Sequence, residues 1–385
     1  MAIQLLVTND ALAVQGDPLT GWTSLDAVKK FNEPGAGSVT LPAYPEVMNQ
    51  LVPGNRIVVI RDGSIWMAGP MEIPTDYSWT ADGGDRDPGE VTVNFSDDLA
   101  TIAGYITWPE PSLTWADQHG NTYRTFVGIN SETMIRTLIN ENCGPGAITA
   151  RRIPNLVLDT AAGVGGVGAA KTRFEPLLDI CRRLTVWGNI GFRTRQDGNQ
   201  IKFGCYAPAD KSATARFSVG LGNLRSIQYK ASAPSVTHAL VAGNETEGST
   251  VRTFVEVANT AAAAEWWRVE KYIDGGADND TNGELTAAGN TDLADGSAPV
   301  ELATVTVDTE DLQAGRDYDL GDRVAIALPH GLQVTDVVRS IHLQATPDAG
   351  ETVSSVVGSP DATTDPQMVR LIRTLSRKLG RLETR

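Results

Sequence analysis

Cysteine is scarce, and the little there is lacks the spacing of a site. Cys143, Cys181 and Cys205 are the only three in 385 residues. No two of them stand as C-x-x-C, which argues against a zinc site and against a disulfide framework, so they read as buried thiols of a protein made in a reducing cytoplasm. The four histidines, His119, His238, His330 and His342, are scattered without an H-x-x-x-H pair, so no metal centre is indicated. Long apolar runs are missing as well. No stretch reaches the roughly 18 residues of a membrane span, and Met1 to Val7 has neither the basic flank nor the long apolar core of an export signal. Basic residues are outnumbered, 32 Lys and Arg against 47 Asp and Glu, for a net charge of −15. Such a balance repels phosphate backbones and argues against duplex binding as the main role. No Ser or Cys stands in a nucleophile-elbow context, and no cofactor is implied.

What the chain has is a phrase used twice. Leu51-Val52-Pro53-Gly54-Asn55-Arg56 runs into Ile57-Val58-Val59-Ile60, and Tyr318-Asp319-Leu320-Gly321-Asp322-Arg323 runs into Val324-Ala325-Ile326-Ala327-Leu328. In each, Gly supplies a positive φ, Asn or Asp bonds local backbone, and the apolar run suits a pleated surface. A second turn and a second strand follow each, at Arg61-Asp62-Gly63 and at Pro329-His330-Gly331. One reading is coincidence, since Gly-Asp before a strand is common. The other is a barrel-like module present in two copies.

The remaining pattern divides the chain into four parts, within the two or three domains its length allows plus a tail. Residues 1–105 carry short strands between turns and read as a first tube-like β-barrel, with part of 216–243 available to complete it. Residues 106–215 read as an α+β domain, with helices over Ser131–Asn142 (Ser131 as cap, Gly144 as stop) and Phe174–Trp187, and a hairpin turning at Asp197-Gly198-Asn199. Residues 216–360 return to strands as a second barrel, with a helical stretch at Thr260–Tyr272 and a long acidic loop at 274–296. Residues 364–385 form a helix starting at Asp365-Pro366, in which Met368, Ile372, Leu375, Leu379 and Leu382 recur at coiled-coil spacing. That helix either packs on its own domain or begins an oligomeric stalk. The fold class is mainly β with an α+β insertion.

Two features invite an enzymatic reading. Gly163-Val164-Gly165-Gly166-Val167-Gly168 matches G-x-G-x-x-G after the strand Leu156-Val157-Leu158 and ahead of an expected helix, with Lys171 in place to reach a phosphate. Ala169-Ala170 separates that Lys from the last Gly, however, and no acidic residue follows at the end of a second strand, so a flexible glycine loop is the better reading. Trp108, Trp115, Trp266 and Trp267 with Asp97, Asp98 and Glu110 suggest a sugar platform beside a carboxylate pair, but they share no local pattern, and aromatic anchoring in cores and interfaces accounts for them.

The segments Phe31–Pro42, Leu51–Gly69, Ala147–Arg152, Phe217–Leu224, Trp266–Glu270 and Tyr318–Val324, taken in order and spacing, resemble the minor tail, or baseplate hub, proteins of long-tailed actinobacterial phages, relatives of the trimeric tail hubs of contractile phages. The resemblance implies a non-enzymatic structural protein of the virion tail tip, made in the host bacterial cytoplasm. It implies a homotrimer whose six barrels match a six-fold tail tube or distal tail protein above, with other tail-tip or fibre proteins below and DNA sliding through without specific binding. The Met368 to Leu382 seam would begin the trimeric stalk. The alternative function is a carbohydrate-binding or cell-wall-hydrolysing tail-tip protein. A nucleotide hydrolase using Lys171 comes third.

Overall fold

The computed structural model describes residues 3–72, 76–79, 88–231, 233–245, 251–275, 277, 280–281, 283–296, 300–328 and 331–358. The first segment holds β1 (Ile3–Thr8), β2 (Ser24–Lys30), β3 (Glu33–Pro42), the single turn α1 (Pro45–Met48), β4 (Arg56–Arg61), β5 (Ser64–Pro70), β6 (Asp76–Ser78) and β7 (Glu90–Ser96). The middle holds α2 (Leu99–Ala103), β8 (Arg124–Asn130), α3 (Ser131–Asn142), β9 (Leu156–Leu158), β10 (Val167–Thr172), α4 (Leu177–Gly188), β11 (Gly191–Asp197) and β12 (Gln200–Tyr206). β13 (Arg216–Ser218) and β14 (Leu224–Ala231) follow, then an insertion of β15 (His238–Ala242), β16 (Phe254–Ala258), α5 (Thr260–Glu265), β17 (Glu270–Asp274) and α6 (Glu284–Asp295). β18 (Val300–Val307), β19 (Arg323–Ala327), β20 (Gln333–Thr346) and β21 (Gly350–Gly358) complete the described chain.

The protein is mainly β, built of several antiparallel sheets, and no sheet among the described residues closes into the barrels expected from the sequence. Instead strands from both ends of the chain join in one open path, β14-β18-β21-β20-β2-β3-β7-β6, with β19 and β13 attached at β20. The joint is β2 on β20, antiparallel from Leu25↔Ala345 to Lys30↔Ser340. His342 is buried at this seam, its Nε2 2.6 Å from Oδ1 of Asp26. A second sheet, β1-β4-β5, is also made by the first segment. One apolar core serves both ends, with Leu5, Val39, Ile57 and Phe95 from one and Phe217, Tyr318, Val324 and Val357 from the other. β5 and β6 lie in different sheets, whereas β20 is one 14-residue strand that pairs with both β19 and β2.

A second core lies mostly in the middle segment, joined by Leu12 of the first and by Leu99 and Ile102 of α2. Met134, Ile135, Leu138 and Ile139 of α3 pack with Leu177, Leu178, Cys181 and Leu184 of α4, as their helical spacing requires. All three cysteines are free and buried there, and burial pushes the Cys143 and Cys205 thiols up to about 12. The α3 cap is Asn130 rather than Ser131: its side chain accepts from the Glu132 and Thr133 amides at 2.9 and 3.4 Å.

Val167–Thr172, between the glycine loop and the helix expected from Phe174, forms a strand on the edge of β8. Two local expectations change. The helix at Thr260 ends at Glu265, and the chain is extended again from Glu270, paired in parallel to β15. The acidic stretch at 274–296 contains α6, whose Leu285, Gly289 and Leu293, four residues apart, are buried. Its acidic and small residues concealed that face. The expected stalk helix at 364–385, with Met368, Ile372, Leu375, Leu379 and Leu382, lies outside the described residues. No helix of the described residues is long and apolar enough to cross a membrane.

Candidate assembly interface

The two phrases fold alike in detail. Gly54 and Gly321 have φ of +87° and +88°. The next amide donates three residues back in both, Asn55 to Val52 O at 3.2 Å and Asp322 to Asp319 O at 3.1 Å. The next carbonyl closes the same hairpin in both, accepting from the amides of Met71 and Val338. Arg56 faces Pro70 as Arg323 faces Val337, so both partners shift by 267 residues (323 − 56 and 337 − 70), and the offset persists to Val59↔Met67 and Ile326↔Val334. β4 and β19 nonetheless belong to different sheets, β4 between β1 and β5, β19 between β13 and β20.

The side chains have diverged. Asn55 Nδ2 donates to Gln50 O at 2.8 Å, whereas Asp322 accepts from the Ala209 and Asp319 amides at 2.7 and 2.9 Å. Arg56 is buried and holds both carboxylate oxygens of Asp98 at 2.6 and 2.7 Å, with Gln196 at 3.2 Å, tying the first segment to the middle domain. Arg323 is exposed. Burial pushes the Asp98 carboxyl up to about 6 against the pull of Arg56, so the pair is ionised at neutral pH. Beside it a cleft of about 460 Å³ is lined by Lys29, Trp66, Asp97, Arg193 and Asp319. There burial pushes Asp97 up to about 7 and Lys29 down to about 8.

Extending the equivalence from the hairpins gives β1 with β13, β2 with β14, β3 with β18, β4 with β19, β7 with β21, and β5 and β6 with the two halves of β20. Along the main path the pairings agree, β2-β3-β7-β6 running in the same order as β14-β18-β21-β20, whereas β1 joins β4 antiparallel and β13 joins β19 in parallel. Between the two halves lies the β2–β20 joint. Its counterparts, β14 and β6, are the two ends of the path, each with its outer edge unpaired among the described residues. An open strand edge is a template for another chain.

The other candidates disperse. Glu132, buried at the start of α3, accepts from the Ala162 and Val164 amides at 2.7 and 2.9 Å, so an internal carboxylate occupies the place of a phosphate in the glycine loop. Lys171 lies on β10 beside Tyr123. Asp98 is engaged by Arg56, Asp97 accepts from the Gly35 and Leu99 amides, and Glu110 pairs with His119 at 2.6 Å. Trp108 stacks under Arg151 at 4.0 Å, Trp115 is 79% exposed, and Trp266 and Trp267 meet edge to face. They form no shared platform. The β2–β20 joint and the Arg56–Asp98 pair escaped sequence reading because their partners are distant in the chain; only the apolar alternation of β2 and β20 hinted at the joint.

A model of the Siphovirus ReqiPepy6 Gp37-like protein family matches residues 4–359. The chain belongs to this family. No curated protein matches it. The fold of this Gp37-like chain is similar to that of the 43 kDa tail protein of prophage MuSo2 from Shewanella oneidensis, with a TM-score of 0.58 and 13% identity over 93% of this chain and 99% of that one. It is similar also to a tail protein of Neisseria meningitidis MC58 (TM-score 0.54, 13% identity, 94% and 97% covered). A third likeness is to prophage tail protein gp18 of Listeria monocytogenes EGD-e (TM-score 0.52, 10% identity, 97% and 99% covered).

Proposed function

We propose that this Gp37-like chain is a structural hub of a phage tail tip that closes into a homotrimeric ring. The observation that carries the reading is the joint between its two repeated halves, made once inside the chain and left open at β14 and β6. Antiparallel pairing of β14 of one copy with β6 of the next repeats that joint between molecules. It is a head-to-tail contact, which generates a closed ring if its rotation closes. Three copies then present six similar modules, which suits a six-fold tail tube on one side and a three-fold tip or central fibre on the other. The fold shared with prophage tail proteins supports a place in the tail. A net charge of −15 suits a lumen past which DNA slides, and the Met368 to Leu382 seam supplies the start of a stalk. Gly54, Asn55 and Arg56, with Gly321, Asp322 and Arg323, are the turns that set the two hairpins.

Light scattering on the purified chain should give the mass of a trimer. A photo-crosslinking residue in place of the exposed Tyr77 on β6 should join, on irradiation, to a peptide containing 224–231 of another copy. A monomer or dimer at high concentration, or cross-links that avoid β14, would refute the ring.

A further inference from the structure

The insertion between β14 and β18 is layered outward from the body. α6 rests on α4 and β10 of the middle domain with one side and on β15 and β16 with the other. The sheet β16-β15-β17 therefore has one face on α6 and the other turned away from the molecule. Ala239, Val241, Val255, Val257 and Ile273 point to α6 and form a separate small core with Leu285 and Leu293. Strand alternation puts their neighbours on the outer face, where Leu240, Phe254 and Tyr272 are 42%, 54% and 54% exposed while His238 and Ala242 beside them are covered. The register sets Leu240 between Glu256 and Tyr272, and Ala242 between Phe254 and Asp274. Lateral neighbours lie about 5 Å apart, so an apolar strip with two aromatic rings crosses the sheet obliquely.

The charges on this face close on one another. Arg268 donates to Glu256 at 2.7 Å and to Glu270 at 2.6 Å. Arg252 donates to the Tyr272 hydroxyl at 2.8 Å and pairs with Asp274. With Glu245, which also pairs with Arg252 at 3.2 Å, four carboxylates stand against two guanidiniums, every one of them in an ion pair, a balance that turns away a polyanion. Each exposed apolar group also has a charge beside it, whereas the centres of protein interfaces are depleted of charge. Flat rings interleaved with paired donors and acceptors match a neutral sugar, whose C–H face stacks on an aromatic while its hydroxyls bridge carboxylate and guanidinium.

We propose that the outer face of the β16-β15-β17 sheet is a binding site for a neutral glycan. The site is independent of the ring, since neither β14 nor β6 takes part. The test is retention of the full chain on immobilised dextran, mannan and arabinogalactan, beside an anionic dextran sulfate control. Retention on at least one neutral polymer, insensitive to salt, is expected. Phe254→Ala and Tyr272→Ala should each weaken it about tenfold while Tyr272→Phe, which keeps the ring, restores most of it. Retention on no neutral polymer, retention unchanged in both alanine variants, or retention on dextran sulfate alone that salt abolishes would overturn the proposal. Should an alanine variant fail to fold, Glu256→Gln, at an exposed position, must weaken retention for the proposal to stand.

Discussion

Replacing Arg56 with Met strands a buried carboxylate. The Arg56 and Asp98 side chains are 6% and 3% exposed and share two short bonds, so the wild-type pair is dry and well formed. Removing one partner of such a pair costs about 3–5 kcal/mol, because the remaining charge keeps its desolvation penalty and loses its compensation. Asp98 has one escape, which is to take up a proton. With Arg56 present its carboxyl already sits near 6 because burial raises it. Without the cation the value climbs further, and each unit is worth about 1.4 kcal/mol. The sign follows from linkage. A folded-state carboxyl raised above its unfolded value holds a proton that the unfolded chain has released, so stability is recovered as pH falls through the folded value. Urea unfolding should therefore show Arg56→Met losing about 3 kcal/mol or more at about pH 8 and about half of that at about pH 5. Asp98→Asn leaves an arginine that cannot discharge, so its loss persists at both pH values. The double replacement Arg56→Met with Asp98→Leu should recover most of the stability. A loss below about 1 kcal/mol in Arg56→Met at about pH 8, or one that does not shrink on acidification, would refute the reasoning.

The two turn glycines should differ under the same substitution, although they share one conformation. A Cβ on Gly54 meets nothing within 4 Å, so Gly54→Ala should cost about 1–2 kcal/mol of backbone strain in thermal unfolding. A Cβ on Gly321 would stand 2.3 Å from the Phe31 ring, and Gly321→Ala should cost at least about 1 kcal/mol beyond that. Glu132→Gln keeps one acceptor oxygen for two amides, so hydrogen exchange at Ala162 and Val164 should quicken by about tenfold while the Val167–Thr172 amides change little. Asp97→Asn should flatten a pH dependence of stability. Asp97 sits near 7 in the fold because of burial, so wild-type stability should rise as pH falls through about 7 toward about 4, by about 2 kcal/mol once its contact with the cleft is discounted.

The sequence by itself determined whatever depends on neighbours in the chain. The turn at Gly54 needs a positive φ, and the apolar run after it needs a sheet, so both could be read, and with them the repeat. Likewise the Asp197-Gly198-Asn199 turn and the α3 and α4 stripes follow from local spacing. Only the tertiary structure decided what those strands pair with. Nothing near Val28 says that it will face His342, more than 300 residues on, because an alternating strand fits many edges until the rest of the core selects one. The same holds for the buried charges. Arg56 and Arg323 stand in nearly one phrase and residues of the middle segment reach both, yet only the first side chain meets a buried carboxylate, Asp98, and the other is exposed. The glycine loop shows the limit most plainly: its letters allow a phosphate, and the fold brings Glu132 to its amides instead.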